Sequence, residues 1–219
     1  MMIEALFFDF DGTIGATEVD IRAAWLSAIN KLELECKDFD RIFRVGPPVR
    51  DTAAMLFPEM PSEELAVLVT AYKSFYDEAE IYQAVPYPGV EDMLHKLAEN
   101  GKKIYIVTNK RIKPLLKLVR QFDLLPLCHG LFAPDIVDPD NHMSKTELLA
   151  LAVRISGCSH ERALMIGDTE LDIHAAHTNG IAACGVTWGY GSLKNLQTAN
   201  PEFIVDTPQD LTWITSVKQ

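Results

Sequence analysis

The stretch Leu6-Phe7-Phe8-Asp9-Phe10-Asp11-Gly12-Thr13 constrains this chain more than any other part of it. It starts as an apolar run, the pattern of a parallel strand buried on both faces. Two aspartates then stand where a strand should hold Val or Ile, because Asp is depleted in strands. A spacing of two puts both carboxylates on one side of an extended chain. Gly12 follows, able to take backbone angles that let a ligand approach closely. Two anions held side by side repel, so one must protonate or a cation must sit between them. A hard divalent ion meets that need, and Mg²⁺ usually sits on one or two carboxylates plus phosphate oxygens. A plain Asp-Gly turn would explain Gly12 but would leave Asp9 inside an apolar run without a reason. A calcium loop beginning Asp-x-Asp needs Gly at its sixth position and Glu at its twelfth. Ile14 and Asp20 stand there instead.

Further along, Thr17 followed by Asp20 reads as a capping box with Asp in place of Glu, opening a helix. Ile21, Trp25, Ala28, Ile29 and Leu32 give that helix one apolar face. Gly46-Pro47-Pro48 breaks the pattern. A short helix through Ala53, Ala54, Leu56 and Phe57 follows, and Ser62 is expected to cap another carrying Leu65, Leu68, Val69 and Tyr72. Pro86-Tyr87-Pro88-Gly89 is the second dense break. Residues 16–85 therefore read as helices only, whereas strands alternate with helices beyond them, the pattern of a parallel sheet. Ile104 to Val107 is a buried strand running into Thr108-Asn109-Lys110. A helix with Leu115, Leu116, Leu118 and Val119 comes next, and Ser144 precedes one that ends near Gly157. Ala163 to Ile166 leads into Gly167-Asp168, Ile181 to Val186 is another strand, and Phe203-Ile204-Val205 a short one. The expected fold is α/β: a Rossmann-like parallel sheet core from 1–15 and 86–219, with an inserted all-helical cap at 16–85. Asp9 with Asp11, Thr108 with Asn109, and Asp168 each follow an apolar strand. They would meet at the carboxyl edge of the sheet if those strands are neighbours.

A net charge of −11 over 219 residues argues against a nucleic-acid partner, which would demand a basic face. The four cysteines (Cys36, Cys128, Cys158, Cys184) lack Cys-x-x-Cys spacing, so neither a zinc site nor a redox pair is indicated. Met1-Met2-Ile3-Glu4 opens no signal peptide, and no apolar run approaches the length of a membrane span. A reducing, cytoplasmic setting is the expectation.

Several candidates carry two readings from their residues alone. Thr108 and Asn109 can donate to phosphate oxygens or cap the following helix. Lys145 can neutralise an acidic nucleophile and a bound phosphate or lie solvated, with Lys110 and Lys113 as alternatives. Asp168 and Asp172 supply a second acidic pair for a cation, although Asp172 also suits a helix N-terminus. His174 and His177 share a helix face but have no third ligand in sight, so they read as surface residues. Arg41, Arg44 and Arg50 cluster around Gly46-Pro47, as helix-end residues or as a group meeting a substrate's negative charge.

Phe8-Asp9-Phe10-Asp11-Gly12-Thr13-Ile14 closely resembles the first motif of the haloacid dehalogenase-like superfamily, specifically its phosphatases. Ser144 to Leu149 resembles the third motif, without the prolines that often flank its lysine, and Gly167-Asp168 with Asp172 resembles the fourth. Pro86 to Val90, Ile106 to Lys110 and Val186 to Gly191 look like stretches of phosphoglycolate phosphatases. One departure is Gly15-Ala16-Thr17, where that subfamily commonly has an apolar residue, Asp and Ser. The resemblance implies Mg²⁺-dependent hydrolysis of a small phosphomonoester through an aspartyl-phosphate, with 2-phosphoglycolate as the first substrate to try. It makes Asp9 the nucleophile, Asp11 the general acid/base and Lys145 the third catalytic residue. Gly12, Thr13, Thr108, Asn109, Arg44 and Arg50 would bind substrate. Mg²⁺ would sit on Asp9, the main-chain carbonyl of Asp11, and Asp168, with Asp172 behind them orienting water or Lys145. The implied partner is a small phosphorylated metabolite, with no nucleic acid, no membrane and no particular oligomeric state. A phosphomutase of the β-phosphoglucomutase type and a broader sugar phosphatase share these motifs. A phospho-accepting signalling module would have neither the helical insert nor Asp11.

Overall fold

The computed structural model describes residues 3–136 and 143–214, so Met1, Met2, 137–142 and 215–219 of the expected spans lie outside it. Contacts divide the chain into two compact units, Met1–Ala16 with Val85–Gln219, and Thr17–Ala84. The first holds the strands β1 (Ala5–Phe8), β2 (Gly15–Ala16), β3 (Val85–Pro86), β4 (Lys103–Val107), β5 (Cys128–Phe132), β6 (Ala163–Gly167), β7 (Ala182–Val186) and β8 (Phe203–Val205). The second holds helices α1 (Glu18–Lys31), α2 (Phe39–Ile42), α3 (Val49–Leu56) and α4 (Ser62–Glu78). Back in the first are α5 (Val90–Glu99), α6 (Ile112–Gln121), α7 (Lys145–Ser156), α8 (Glu170–Thr178), α9 (Leu193–Ala199) and α10 (Pro208–Ile214).

Six strands form one parallel sheet in the order β5-β4-β1-β6-β7-β8. The chain builds outward from β1 through β4 and β5, then restarts on the other side with β6. The order therefore reverses beside β1, where an open α/β sheet offers its ligand crevice. All four residues of β1 are 0% exposed, which is why its sequence is apolar without alternation. Successive side chains point to opposite faces. Phe7 joins Tyr105, Met165, Leu148, Leu149 and Ile173 in the core under α7 and α8, stacking on Tyr105 at 5.2 Å between centroids. Burying one such aromatic is worth about 1.5–3 kcal/mol.

The helical unit is organised by α1 against α4. Ile21, Trp25, Ala28 and Ile29 are buried, as are Leu68, Val69 and Tyr72. Trp25 stacks on Tyr72 at 4.3 Å. Two start signals differ from expectation. Thr17 is the N-cap residue of α1 but makes no side-chain cap bond, and the Asp20 carboxylate instead accepts from the N–H groups of Gln83 and Ala84, each at 2.8 Å. Those amides need an acceptor where the chain leaves helix, so Asp20 serves them in preference to its own first turn. Ser62 is the first residue of α4, with Pro61 as N-cap. The edges of the insert also differ: Ala16 and Val85 are not helical but pair in a two-residue antiparallel ribbon, β2 with β3.

The sequence reading missed β5 and α9. In β5, Cys128-His129-Gly130 shows no alternation, and the strand is a half-buried edge whose register shifts between Ile104 and Tyr105. A side chain at Gly130 would press on the Phe132 and Tyr105 rings, so the strand needs glycine where propensity disfavours it. Helix α9 is short and buries only Leu196 and Ala199, too few for a periodic signal.

Candidate active site

β1 lies between β4 and β6, so the residues following these three strands stand side by side at the carboxyl edge. Asp9 extends the ladder by one step, its N–H donating to the Ile166 carbonyl at 2.8 Å. Asp168 does not protrude into solvent; it is 0% exposed and held from two directions. Its Oδ2 accepts from the N–H groups of Tyr190 at 2.7 Å and Gly191 at 3.2 Å, and its Oδ1 accepts from the Thr13 hydroxyl at 3.3 Å. The loop after β7 can reach it because it carries glycines. A Cβ at Gly189 would overlap Asp168 and the Gly12 carbonyl, and one at Gly191 would overlap the Asp168 carbonyl. Gly12, at φ +85°, faces the Asp168 carboxylate just as closely. The Trp188 indole N–H donates to the Thr13 carbonyl at 3.1 Å, tying the same loop to the turn after Asp11.

Lys145 is the first residue of α7. Ser144 and Glu147 close a capping box: the Ser144 N–H donates to Glu147 Oε2 at 2.8 Å, and the Glu147 N–H donates to Ser144 Oγ at 3.3 Å. That box fixes where the helix begins and hence where the lysine leaves it. The Lys145 ammonium lies 2.8 Å from Asp9 Oδ1 and also pairs with Asp172 Oδ1. Asp172 in turn accepts from Thr169 through its other oxygen, N–H at 3.0 Å and hydroxyl at 2.8 Å. Asp172 thus caps α8 and pairs with Lys145 at once. Gly167 lets it fold back, since a Cβ there would overlap the Asp172 carboxylate.

Carboxylate oxygens of Asp9, Asp168 and Asp172 lie within 4.8 Å of one another, and all three residues are buried. Burial pushes the Asp9 carboxyl above the ordinary carboxylate range against the pull of Lys145, with Asp172 and Asp11 adding to the rise. Asp168 rises for the same reason, burial first and then the charges of Asp9 and Asp172. Burial disfavours the Lys145 ammonium, but Asp172 and Asp9 outweigh it and raise its pKa. Asp9 Oδ1 and Asp172 Oδ1 are buried, and the Lys145 ammonium is the partner they share. With all three carboxylates ionised, one ammonium would leave two negative charges buried, which is why Asp9 and Asp168 hold their protons more tightly in the absence of a cation. A divalent cation fits that donor set.

Asp11 is not one of these three carboxylates, although its charge reaches Asp9. Its Oδ1 accepts from the Lys110 ammonium at 2.7 Å. Thr108 is buried, and its hydroxyl accepts the Lys110 N–H at 3.1 Å; Asn109 is half-buried. The N-cap residue of α6 is Arg111, and the buried Asp135 carboxylate takes the Ile112 N–H at 2.8 Å. Lys113, His174 and His177 are exposed, and His177 Nε2 lies 3.5 Å from Glu202. Arg44 and Arg50 belong to the helical unit and are both exposed; Arg44 Nη1 donates to the Phe43 carbonyl at 2.5 Å. Sequence reasoning had no role for Gly189, Tyr190 or Gly191 at Asp168, or for Trp188 at the Thr13 carbonyl. Two glycines around a tyrosine just past a strand are the available signal, since such glycines mark a close backbone approach.

With this geometry in view, the family model for haloacid dehalogenase-like hydrolases matches residues 6–186. The chain belongs to the haloacid dehalogenase-like hydrolases. It is therefore an enzyme, and its relatives extend over nearly its whole length. The probable phosphatase IndB of Dickeya dadantii is 29% identical over 209 residues, covering 92% of this chain and 89% of that protein. The pyrophosphatase PpaX of Bacillus velezensis is 27% identical over 220 residues, covering 99% and 98%. Among solved structures, a haloacid dehalogenase-like family hydrolase from Streptococcus pneumoniae superposes with a TM-score of 0.85 at 25% identity, covering 97% of this chain and 98% of that one. A predicted phosphoglycolate phosphatase from Haemophilus somnus also reaches a TM-score of 0.85, covering 99% of each chain, at 21% identity, which carries the fold alone.

Proposed function

We propose that this hydrolase is a Mg²⁺-dependent phosphatase acting on a small phosphomonoester, with Asp9 as nucleophile. One observation carries the reading: a buried lysine bridges Asp9 to Asp172, with Asp168 close by. Asp9 attacks phosphorus, forming its own O–P bond as the substrate's P–O bond breaks. Asp11 gives a proton to the leaving oxygen, then takes one from the water that hydrolyses the aspartyl-phosphate. Lys145 aims Asp9 and offsets charge gathering on the phosphoryl oxygens. Thr108, Asn109, Gly12 and Thr13 bind those oxygens. Asp9, the Asp11 carbonyl and Asp168 would hold Mg²⁺, and Asp172 supports Lys145 from behind. When bound, the ion supplies Lewis-acid stabilisation of the phosphoryl group.

In this reading Thr17–Ala84 is a cap that closes over the leaving group and excludes water. Its Gly46-Pro47-Pro48 loop, with Arg44 and Arg50, selects a substrate bearing a carboxylate, which arginine matches bidentately. The partner is then a small phosphorylated metabolite such as 2-phosphoglycolate. Four unpaired thiols suit a reducing cytoplasm, and among the described residues no helix is long and apolar enough to cross a membrane.

Pyrophosphate hydrolysis is a second reading, favoured by the near full-length likeness to pyrophosphatases. The test is kcat/KM, with Mg²⁺ and with chelator, for 2-phosphoglycolate, sugar phosphates, nucleoside monophosphates and pyrophosphate. The expected result is preference for 2-phosphoglycolate, lost by roughly tenfold or more in Arg44→Ala or Arg50→Ala. Preference for pyrophosphate selects the second reading. Sugar phosphates winning with neither arginine involved leaves a broader sugar phosphatase, and a product that keeps its phosphate marks a mutase. Full activity in excess chelator, or none on any of these compounds, overturns the proposal.

A further inference from the structure

We infer that Lys110 is a positioning residue that holds the Asp11 carboxylate in line with the leaving oxygen, an inference that rests on the acid/base reading of Asp11. Its side chain is 2% exposed, and a buried ammonium is tolerated only against a partner. The partner is Asp11 Oδ1 at 2.7 Å, on a carboxylate that is itself 14% exposed. Nothing in a solvated surface pair would hold a carboxylate in one place, because two long side chains sample many geometries. Here both ends are fixed.

The lysine's own backbone is pinned by its N–H bond to the Thr108 hydroxyl at 3.1 Å, and the next residue is the N-cap of α6. The Arg111 guanidinium and the Ile112 N–H both reach Asp135, at 3.1 and 2.8 Å, anchoring that turn to the end of β5. The lysine ammonium passes 5.8 Å from the centroid of the Phe10 ring, which is itself stacked on Phe122. On the other side, Asp11 enters a tight turn closed by the Gly12 N–H donating to the Gly15 carbonyl at 3.0 Å. The site therefore divides its two lysines. Lys145 serves the attacking carboxylate, and Lys110 serves the one that carries the proton. A proton carrier needs this more than a metal ligand does, since transfer falls off once donor and acceptor leave hydrogen-bond reach.

The experiment compares two leaving groups in wild type, Lys110→Met and Lys110→Arg. An alkyl phosphomonoester, the best of the panel above, needs a proton on its leaving oxygen. p-Nitrophenyl phosphate leaves as a stable anion and needs none. The quantity is kcat/KM, which reports the chain of steps through departure of the leaving group. The loss in Lys110→Met is expected to be about tenfold to a hundredfold greater on the alkyl ester than on the nitrophenyl ester. Lys110→Arg should recover part of the alkyl activity. In an Asp11→Asn background, Lys110→Met should add little further loss, because the group it positions is gone. That double variant also removes both charges of the pair, so it serves where Lys110→Met alone does not fold. Equal losses on both esters, or full additivity with Asp11→Asn, would make Lys110 a phosphate ligand or a packing residue and overturn the inference. Failure of the underlying reading looks different: Asp11→Asn itself then loses no more on the alkyl ester than on the nitrophenyl ester.

Discussion

Asp9, Asp168 and Asp172 are buried around Lys145, and the repulsion among them sets what single substitutions should do. Asp9→Asn should abolish turnover, since an amide is no nucleophile. In chelator it should melt no lower than wild type, because it removes one of three crowded carboxylates. Turnover near the wild-type level would refute the covalent mechanism. The glycines around Asp168 give a second prediction. Gly191→Ala puts a methyl group onto the Asp168 carbonyl and should cost about 1–3 kcal/mol along with activity. Gly180→Ala, where a Cβ meets nothing within 4 Å at φ +64°, should cost only the left-handed strain of about 1–2 kcal/mol and leave kcat/KM alone. Denaturant melts and initial rates on both variants separate packing at the site from backbone strain away from it.

Two capping boxes at the starts of α7 and α8 deliver Lys145 and Asp172 to each other. Local sequence chemistry therefore places a long-range ion pair. Ser144→Ala should cost about 1 kcal/mol of stability, as a lost N-cap does, and also lower kcat/KM by loosening the turn that aims Lys145. Thr207 is the control: its hydroxyl and N–H reach Asp210 at the start of α10, at 2.7 and 3.1 Å. Thr207→Ala should lose similar stability with kcat/KM unchanged. Equal kcat/KM in both variants would mean that the α7 cap is structural only.

For the molecule as a whole, the buried acids couple stability to pH and to metal. Asp9 and Asp168 have raised pKa values in the folded chain, so folding favours their protonated forms. Their contribution is then fully present at low pH and is lost as pH rises above the ordinary carboxylate range. In chelator, the melting temperature should fall between about pH 5 and pH 8 by more than in an Asp168→Asn variant. Added Mg²⁺ should reverse that fall, by about 2.7 kcal/mol at a hundredfold excess over its dissociation constant. A melt insensitive to Mg²⁺ at pH 8 would argue that no ion occupies the acidic cluster.

Much of this was legible in the residues. The apolar run ending in Asp9-Phe10-Asp11-Gly12 marked a buried strand with acidic residues at its end, because strand interiors disfavour aspartate. The switch in periodicity after Pro86 marked where helices give way to an alternating α/β pattern, since burial on one face imposes its own period. Tertiary structure decided the rest. Strand order alone made neighbours of the segments ending before Asp9, Thr108 and Asp168. Asp20 gave up its own helix for the distant amides of Gln83 and Ala84. Lys145 was the first candidate in one dimension, with Lys110 and Lys113 behind it, and the fold pairs Lys145 and Lys110 with different aspartates. The loop at Trp188 to Gly191 could not be placed beforehand for the same reason. Which carboxylate a backbone N–H finds depends on the path of a chain folding back across the sheet, and that path is set by packing summed over the whole core.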